Sequence, residues 1–208
     1  ELGGIDPYSA SKAGAEIIFN SYLRSFYIHK KMGASSARAG NVIGGGDWSS
    51  DRIIPDCIKS IIDKKILEIR SPNATRPWQH VLEPLSGYLM LANALFKYKD
   101  EYNGSWNFGP DIQKNITVKD ITEMLFKELN YDKLLRFTKN QSKAHEANLL
   151  QLNCDKAKQL LDWGPRWDVN QTLKKTAEWY KSFINGENMY NVTRNQIKEY
   201  FNEINRWS

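Results

Sequence analysis

Helices alternating with short strands predict an α/β fold for this chain of 208 residues. Two patterns carry that prediction. Apolar residues recur at helical spacing over long stretches, and between them lie compact runs of about four residues bounded by glycine, proline or polar clusters. No repeat, low-complexity linker or obvious domain cut interrupts the alternation, and the length suffices for a substantial core in one or two domains.

Residues 8–31 read as one long helix, with Ala15, Ile18, Phe19, Tyr22, Leu23 and Phe26 as its apolar stripe. Asp6 supplies its cap and Pro7 its first-turn proline. Residues 34–37 are short and small enough for a buried strand, and a loop follows over 38–51. Residues 52–64 read as helix with Pro55 in the first turn. Strands are expected at 67–70 and 78–81, and Pro84 opens an amphipathic helix to about Tyr98. Residues 105–108 form a strand ended by Gly109-Pro110. Thr117 begins a helix that runs to Leu129. Strands near 134–138 and 149–152 follow, then helices over 155–161, 170–185 and 193–206.

The composition, 41% hydrophobic and 25% charged, is that of a soluble globular protein. No apolar run approaches the ~20 residues of a membrane span. No signal peptide is present, and the first residue is Glu1 rather than methionine, so a trimmed chain or internal fragment is expected. The net charge of +5 could suit a polyanion, but lysines are scattered among glutamates with no block of like charge. A phosphate-bearing small substrate fits that excess better than a nucleic acid, since basic residues do not gather around the aromatics. Cys57 and Cys154 match no metal or redox spacing and fit inert thiols of a reducing cytoplasm. Triplets such as Asn73-Ala74-Thr75 mean little without a secretion signal.

The run Tyr8-Ser9-Ala10-Ser11-Lys12 is the strongest chemical signal. Residues four apart share a helix face, and an ammonium beside a phenol favours the phenolate, so Tyr8 can act as a base. Such pairs also arise by chance in helices. Here the neighbours Ser9, Ala10, Ser11, Ala13 and Ala15 are small, which allows close approach of a cofactor or a second helix. Gly44-Gly45-Gly46, followed by Asp47-Trp48, makes a loop whose amides can approach a ligand. It lacks the dinucleotide spacing, and a surface loop is an equal reading. Arg76 at a strand entrance suits bidentate diphosphate contacts, or else a surface ion pair. His80 is a structural histidine or a ligand contact. His29 and His145, with no carboxylate cluster nearby, make a metal site unexpected. The aromatic segments Trp163-Gly164-Pro165 and Trp179-Tyr180 are read as helix packing.

Together these segments resemble the extended short-chain dehydrogenase/reductases, in their nucleotide-sugar branch, and within it the CDP-glucose 4,6-dehydratases. The resemblance runs through Gly3-Gly4-Ile5-Asp6-Pro7-Tyr8-Ser9-Ala10-Ser11-Lys12 and Ala37-Arg38-Ala39-Gly40-Asn41-Val42-Ile43-Gly44-Gly45-Gly46-Asp47-Trp48. It continues in Asp51-Arg52-Ile53-Ile54-Pro55-Asp56, Arg76-Pro77-Trp78-Gln79-His80-Val81 and Trp106-Asn107-Phe108-Gly109-Pro110. The Gly-Gly-Gly-Asp-Trp and Arg-Pro-Trp-Gln-His-Val runs set it apart from dehydratases of dTDP-glucose and GDP-mannose.

What the resemblance implies is the C-terminal part of an NAD(P)-binding Rossmann-like fold with a smaller mixed α/β substrate-binding domain. Residues 1–50 would end the dinucleotide-binding half. Residues 51–208 would bind substrate, with segments near 75–110 returning to that half. The cofactor implied is NAD, and the substrate is a nucleotide-diphosphate sugar, CDP-glucose. Tyr8 would deprotonate the 4-hydroxyl, Lys12 would assist it and hold the nicotinamide ribose, and Ala39 would line the nicotinamide. Asn41, Arg52, Arg76 and Asn107 would contact sugar, diphosphate or nucleotide, with Asp47, Trp48 and His80 on the substrate side. A cytoplasmic homo-oligomer, dimer or tetramer, is implied, paired through the helix that begins at Tyr8, in a bacterial pathway to deoxysugars of surface lipopolysaccharide.

The family's glycine-rich dinucleotide loop and the Ser/Thr-Asp-Glu/Lys group that performs the dehydration are absent. Roughly 130 residues are expected before Glu1, from the size of a dinucleotide-binding half. The 208 residues alone are expected to bind NAD weakly and turn nothing over. Rivals are an epimerase or reductase of the same superfamily, and a non-catalytic nucleotide-sugar-binding remnant.

Overall fold

A computed structural model describes residues 6–111, 116–137 and 152–204 of the chain. Its helices are α1 (Pro7–Tyr22), α2 (Ile53–Asp63), α3 (Leu82–Tyr98), α4 (Val118–Leu129), α5 (Asp155–Leu161), α6 (Val169–Ile184) and α7 (Met189–Ile204). The strands are β1 (Ser35–Ala39), β2 (Asn41–Ile43), β3 (Leu67–Ile69), β4 (Trp78–His80), β5 (Gly104–Phe108) and β6 (Leu135–Phe137). They make three parallel ribbons, β1 with β5, β2 with β4, and β3 with β6. The chain divides into two compact units, one drawn from residues 1–39, 84–108 and 153–164 and the other from 40–83, 109–152 and 165–208.

In the first unit Ser36 lies opposite Ser105, and Arg38 opposite Asn107, across the β1–β5 ribbon. Side chains alternate across a strand. That face therefore carries Ser36, Arg38, Ser105 and Asn107, while Trp106 and Phe108 point to the other. Helix α1 approaches the serine face. On the opposite face Phe108 meets Tyr88 of α3 and Trp163 edge-on, with centroids 5.5 and 5.0 Å apart. Trp163 donates its Nε1–H to Ser86 Oγ at 3.0 Å, so the buried indole is satisfied.

The core of the second unit joins Ile54, Cys57, Ile58 and Ile61 of α2 to Ile121, Leu125, Phe126 and Leu129 of α4. Leu173, Ala177, Trp179 and Tyr180 of α6 complete it, together with Ile43 and Trp78. Helix α4 opens on a capping box. Thr117 Oγ1 accepts from Asp120 N at 3.1 Å, and the Asp120 carboxylate accepts from Thr117 N at 2.9 Å.

The expected elements form with shifted ends, and four differences are informative. The helix expected over 8–31 keeps its helical course, but its α-winding stops at Tyr22. A π-helical turn, Leu23–Tyr27, and a 3₁₀ turn, Ile28–Lys30, close it at left-handed Lys31. Its apolar stripe is not core. Ile18, Tyr22 and Phe26 are each more than half exposed and Leu23 is buried, because a ribbon two strands wide covers little of the helix. The loop expected over 38–51 holds the end of β1 and all of β2, which is made a strand by β4 and by the Asn41 N–H donated to Pro77 O at 2.9 Å. Helix α7 starts four residues ahead of the expected 193, where Asn188 accepts from Asn191 N at 3.1 Å. The strand expected at 149–152 lies outside the described residues but for Leu152, which is in no strand, and His145 and residues 3–5 also lie outside.

Candidate active site

Asp6 caps α1 as its sequence requires. Its carboxylate accepts from Ser9 N at 3.0 Å and from Ser9 Oγ at 2.6 Å, and these bonds hold it below the usual carboxylate range. Pro7 takes the first helical position, where a missing N–H costs nothing. Tyr8 therefore stands in the first turn rather than mid-helix, and it is 71% exposed. One turn on, Lys12 Nζ lies 5.5 Å from the centroid of the Tyr8 ring. The pair expected to share a helix face does so, and no carboxylate among the described residues pairs with Lys12. Ser11 Oγ donates to Tyr8 O at 2.7 Å, which stiffens this turn.

Ala39 ends β1, opposite Phe108. Asn107 donates Nδ2–H to Asn153 O at 2.9 Å, and its Oδ1 is buried without a hydrogen-bond partner among the described residues. A buried acceptor left so is costly unless something donates to it. These residues lie in the same unit as the Tyr8–Lys12 pair.

The other expected residues belong to the second unit. Asn41 begins β2 opposite Trp78. Arg52 is an exposed N-cap residue of α2. Arg76 is half-buried and turns one guanidinium N–H back on Thr75 O at 2.7 Å. Burial raises the Asp47 carboxyl, but the bond from Ser49 N at 3.0 Å and the charges of Arg52 and Lys59 bring it below the usual range overall. The Asp47 carbonyl accepts from the Tyr180 hydroxyl at 2.7 Å, while burial and the nearby Asp47 carboxylate push that hydroxyl up to about 12. Trp48 packs against Tyr180 and Phe183 with centroids 5.4 and 4.9 Å apart. His80 is 2% exposed, edge-on to Trp167 at 4.8 Å. Its Nδ1 accepts from Leu82 N at 3.3 Å and its Nε2 has no partner among the described residues. Burial, then the charge of Lys175, brings the imidazole down to about 4, so it is neutral near pH 7.

The glycine loop has a packing answer. A Cβ on Gly45 would fall inside the indole of Trp179, and one on Gly44 would come within 2.9 Å of Val81 Cγ1. Gly46 has a φ of +83°, the left-handed region that glycine enters freely. The aromatic segment expected to pack does so, on this loop.

Two features carry no signal of their own in the sequence. Glu16 of α1 accepts from Ser36 and Ser105 at 2.9 and 2.8 Å. In the other unit fully buried Glu83 accepts from Trp167 N at 2.8 Å, Arg166 N at 3.1 Å and the Tyr200 hydroxyl at 2.7 Å. Burial raises its carboxyl, and these bonds oppose the rise. Among the described residues no His/Cys/Asp/Glu group could hold a metal ion, and no helix is long and apolar enough to cross a membrane.

A family model described as GDP-mannose 4,6 dehydratase matches residues 2–176. The chain is 40% identical over 210 residues to a CDP-glucose 4,6-dehydratase of Salmonella typhimurium, a match covering 99% of this chain and 58% of that protein. It is 26% identical over 186 residues to a dTDP-glucose 4,6-dehydratase of Haemophilus influenzae, covering 84% of this chain and 51% of the other. Its fold is shared with the dTDP-glucose 4,6-dehydratase from Bacillus anthracis in complex with NAD, at a TM-score of 0.70 and 23% identity over 88% of this chain and 54% of that one. The dTDP-glucose 4,6-dehydratase from Streptomyces venezuelae with NAD and TYD bound gives a TM-score of 0.72 at 21% identity, over 90% and 54%. The chain thus spans little more than half the length of these relatives.

Proposed function

The chain belongs to the GDP-mannose 4,6 dehydratase family, and from that membership we propose that it is the reactive C-terminal part of a nucleotide-sugar 4,6-dehydratase acting on CDP-glucose. The observation that carries this reading is the Tyr8–Lys12 pair, capped at the head of α1 and open to solvent. Its identity to the Salmonella protein along nearly the whole chain supports the CDP-linked sugar over the others.

The residues present fit the ribose end of an NAD site. Tyr8 and Lys12 present a phenol and an ammonium side by side, and no carboxylate among the described residues neutralises that ammonium. Bound NAD would accept a hydride from C4 of the sugar and return it at C6. Tyr8 Oη takes the proton of the 4-hydroxyl as general base, with the Lys12 ammonium one helical turn on beside its ring. Lys12 would also bond the ribose, and Ala39, with no side chain beyond Cβ, would leave room beside the nicotinamide. Arg52 and Arg76 bind diphosphate oxygens, and Asn41 and Asn107 bind sugar or nucleotide through their amides. Asp47, Trp48 and His80 are the further candidates for the substrate side, all three within the second unit.

Ile18 and Tyr22 of α1 and Phe26 of the π-turn that follows are exposed at a spacing of four, an apolar face that suits a second copy in a homo-oligomer. The two buried free cysteines suit a reducing cytoplasm.

The test is to incubate the full-length protein with CDP-glucose, UDP-glucose and dTDP-glucose and follow the alkali-dependent absorbance of a 4-keto sugar. CDP-glucose is expected to react at least tenfold faster than either rival. Equal rates would remove the CDP assignment. A 4-epimer without the keto product would make the protein an epimerase.

A further inference from the structure

The reading of Tyr8 as base leaves open how α1 is held in place, since the helix buries none of its own residues fully. Its strongest polar attachment to the ribbon within its unit is Glu16. One carboxylate oxygen accepts from both Ser36 Oγ of β1 and Ser105 Oγ of β5, at 2.9 and 2.8 Å. Those two serines are direct cross-strand partners, with hydroxyls 3.0 Å apart. The other oxygen faces Arg38 Nε at 3.7 Å, and the Glu16 side chain is only 12% exposed. Removing a carboxylate from water is expensive unless it is compensated; here two hydroxyls bond one oxygen and the Arg38 guanidinium stands as an ion-pair partner to the other.

The spacing gives the cluster its consequence. Glu16 lies four residues beyond Lys12 and eight beyond Tyr8, hence about 6 and 12 Å along the axis at 1.5 Å per residue. At about 100° per residue Lys12 is rotated some 40° from Glu16 and Tyr8 some 80°. A slide or roll of α1 that moved the two reactive side chains would pull Glu16 off both serines at once. We propose that Glu16, held by Ser36 and Ser105, is the positioning residue that fixes Tyr8 and Lys12 for proton transfer. The proposal rests on the reading of Tyr8 as the base. Glu16 itself touches no reacting atom.

Full-length Glu16→Ala, Glu16→Gln and Ser105→Ala are compared with wild type for kcat and KM on CDP-glucose, for binding of CDP-glucose by calorimetry, and for thermal midpoint. Misplacement by about 1 Å can cost on the order of 100-fold. Glu16→Ala is expected to lower kcat about 10- to 100-fold with KM and calorimetric affinity within threefold. Glu16→Gln keeps an acceptor for the serines and is expected to recover most of kcat. Ser105→Ala removes one of the two donors and is expected to lower kcat about threefold to tenfold. It is the deciding variant if Glu16→Ala does not fold. A kcat within threefold of wild type in the folded Ala variants, with only the thermal midpoint lowered, overturns the proposal and makes the cluster structural alone. A wild-type protein that forms no keto sugar overturns the dehydratase reading, and the positioning role with it.

Discussion

Gly45 lies against the indole face of Trp179, and any Cβ there would occupy the ring. Gly40 is similarly crowded by Pro77, where a Cβ would come 2.6 Å from a backbone oxygen that cannot swing aside. The glycine loop beside Asp47 and Trp48 is therefore shaped by what packs on it. Gly45→Ala is expected to cost about 1–3 kcal/mol, the range for overpacking. Gly164, with nothing within 4 Å of a would-be Cβ, is the control, and Gly164→Ala should stay within about 0.5 kcal/mol. Urea unfolding of the two variants reads both costs. Equal midpoints would mean that Trp179 does not hold the loop.

At the scale of elements, helix ends and buried carboxylates do the joining. Asp6 and Pro7 start α1, Glu16 ties it to the β1–β5 ribbon, and Thr117 with Asp120 starts α4. Glu83 gathers the 166–167 backbone and the Tyr200 hydroxyl of α7 within the second unit. Glu83→Ala would take this acceptor from two buried donors, Trp167 N and the Tyr200 hydroxyl, and from the part-buried Arg166 N, and unmade buried bonds cost about 1–3 kcal/mol each. At least about 2 kcal/mol of stability should be lost, and hydrogen exchange along α7 should rise before exchange in α2 or α4. Protection that falls equally everywhere would contradict this role for Glu83.

Local signals explain what was legible here. The Asp6-Pro7 cap, the 3.6-residue pattern of α2 and α4 and the Gly109-Pro110 stop all act within a few residues, so sequence reads them directly. Strand β2 depends on β4, some 37 residues further on, and no local pattern announces it. The Glu16 cluster depends on the Ser36–Ser105 register, and Glu83 on a segment more than 80 residues away. The Tyr8–Lys12 pair was legible because its chemistry lies within one helical turn. The apolar stripe that begins in α1 was legible as a shared face, but spacing shows which residues share a face and not whether anything covers it.

At the scale of the molecule, each ribbon is two parallel strands wide among the described residues, whereas parallel sheets are ordinarily buried within larger ones. In the unit that holds the β1–β5 ribbon, Ile18 and Tyr22 of α1 and Phe26 of the π-turn after it stand exposed. The chain spans 58% of its CDP-glucose 4,6-dehydratase relative. The account stands on Tyr8 as the base. Its most direct test is full-length Tyr8→Phe, with turnover of CDP-glucose measured beside calorimetric binding. General-base removal is worth about 10²–10⁴ in rate, so kcat should fall by at least 100-fold while CDP-glucose affinity stays within threefold of wild type. A Tyr8→Phe protein that keeps kcat within threefold would contradict the account.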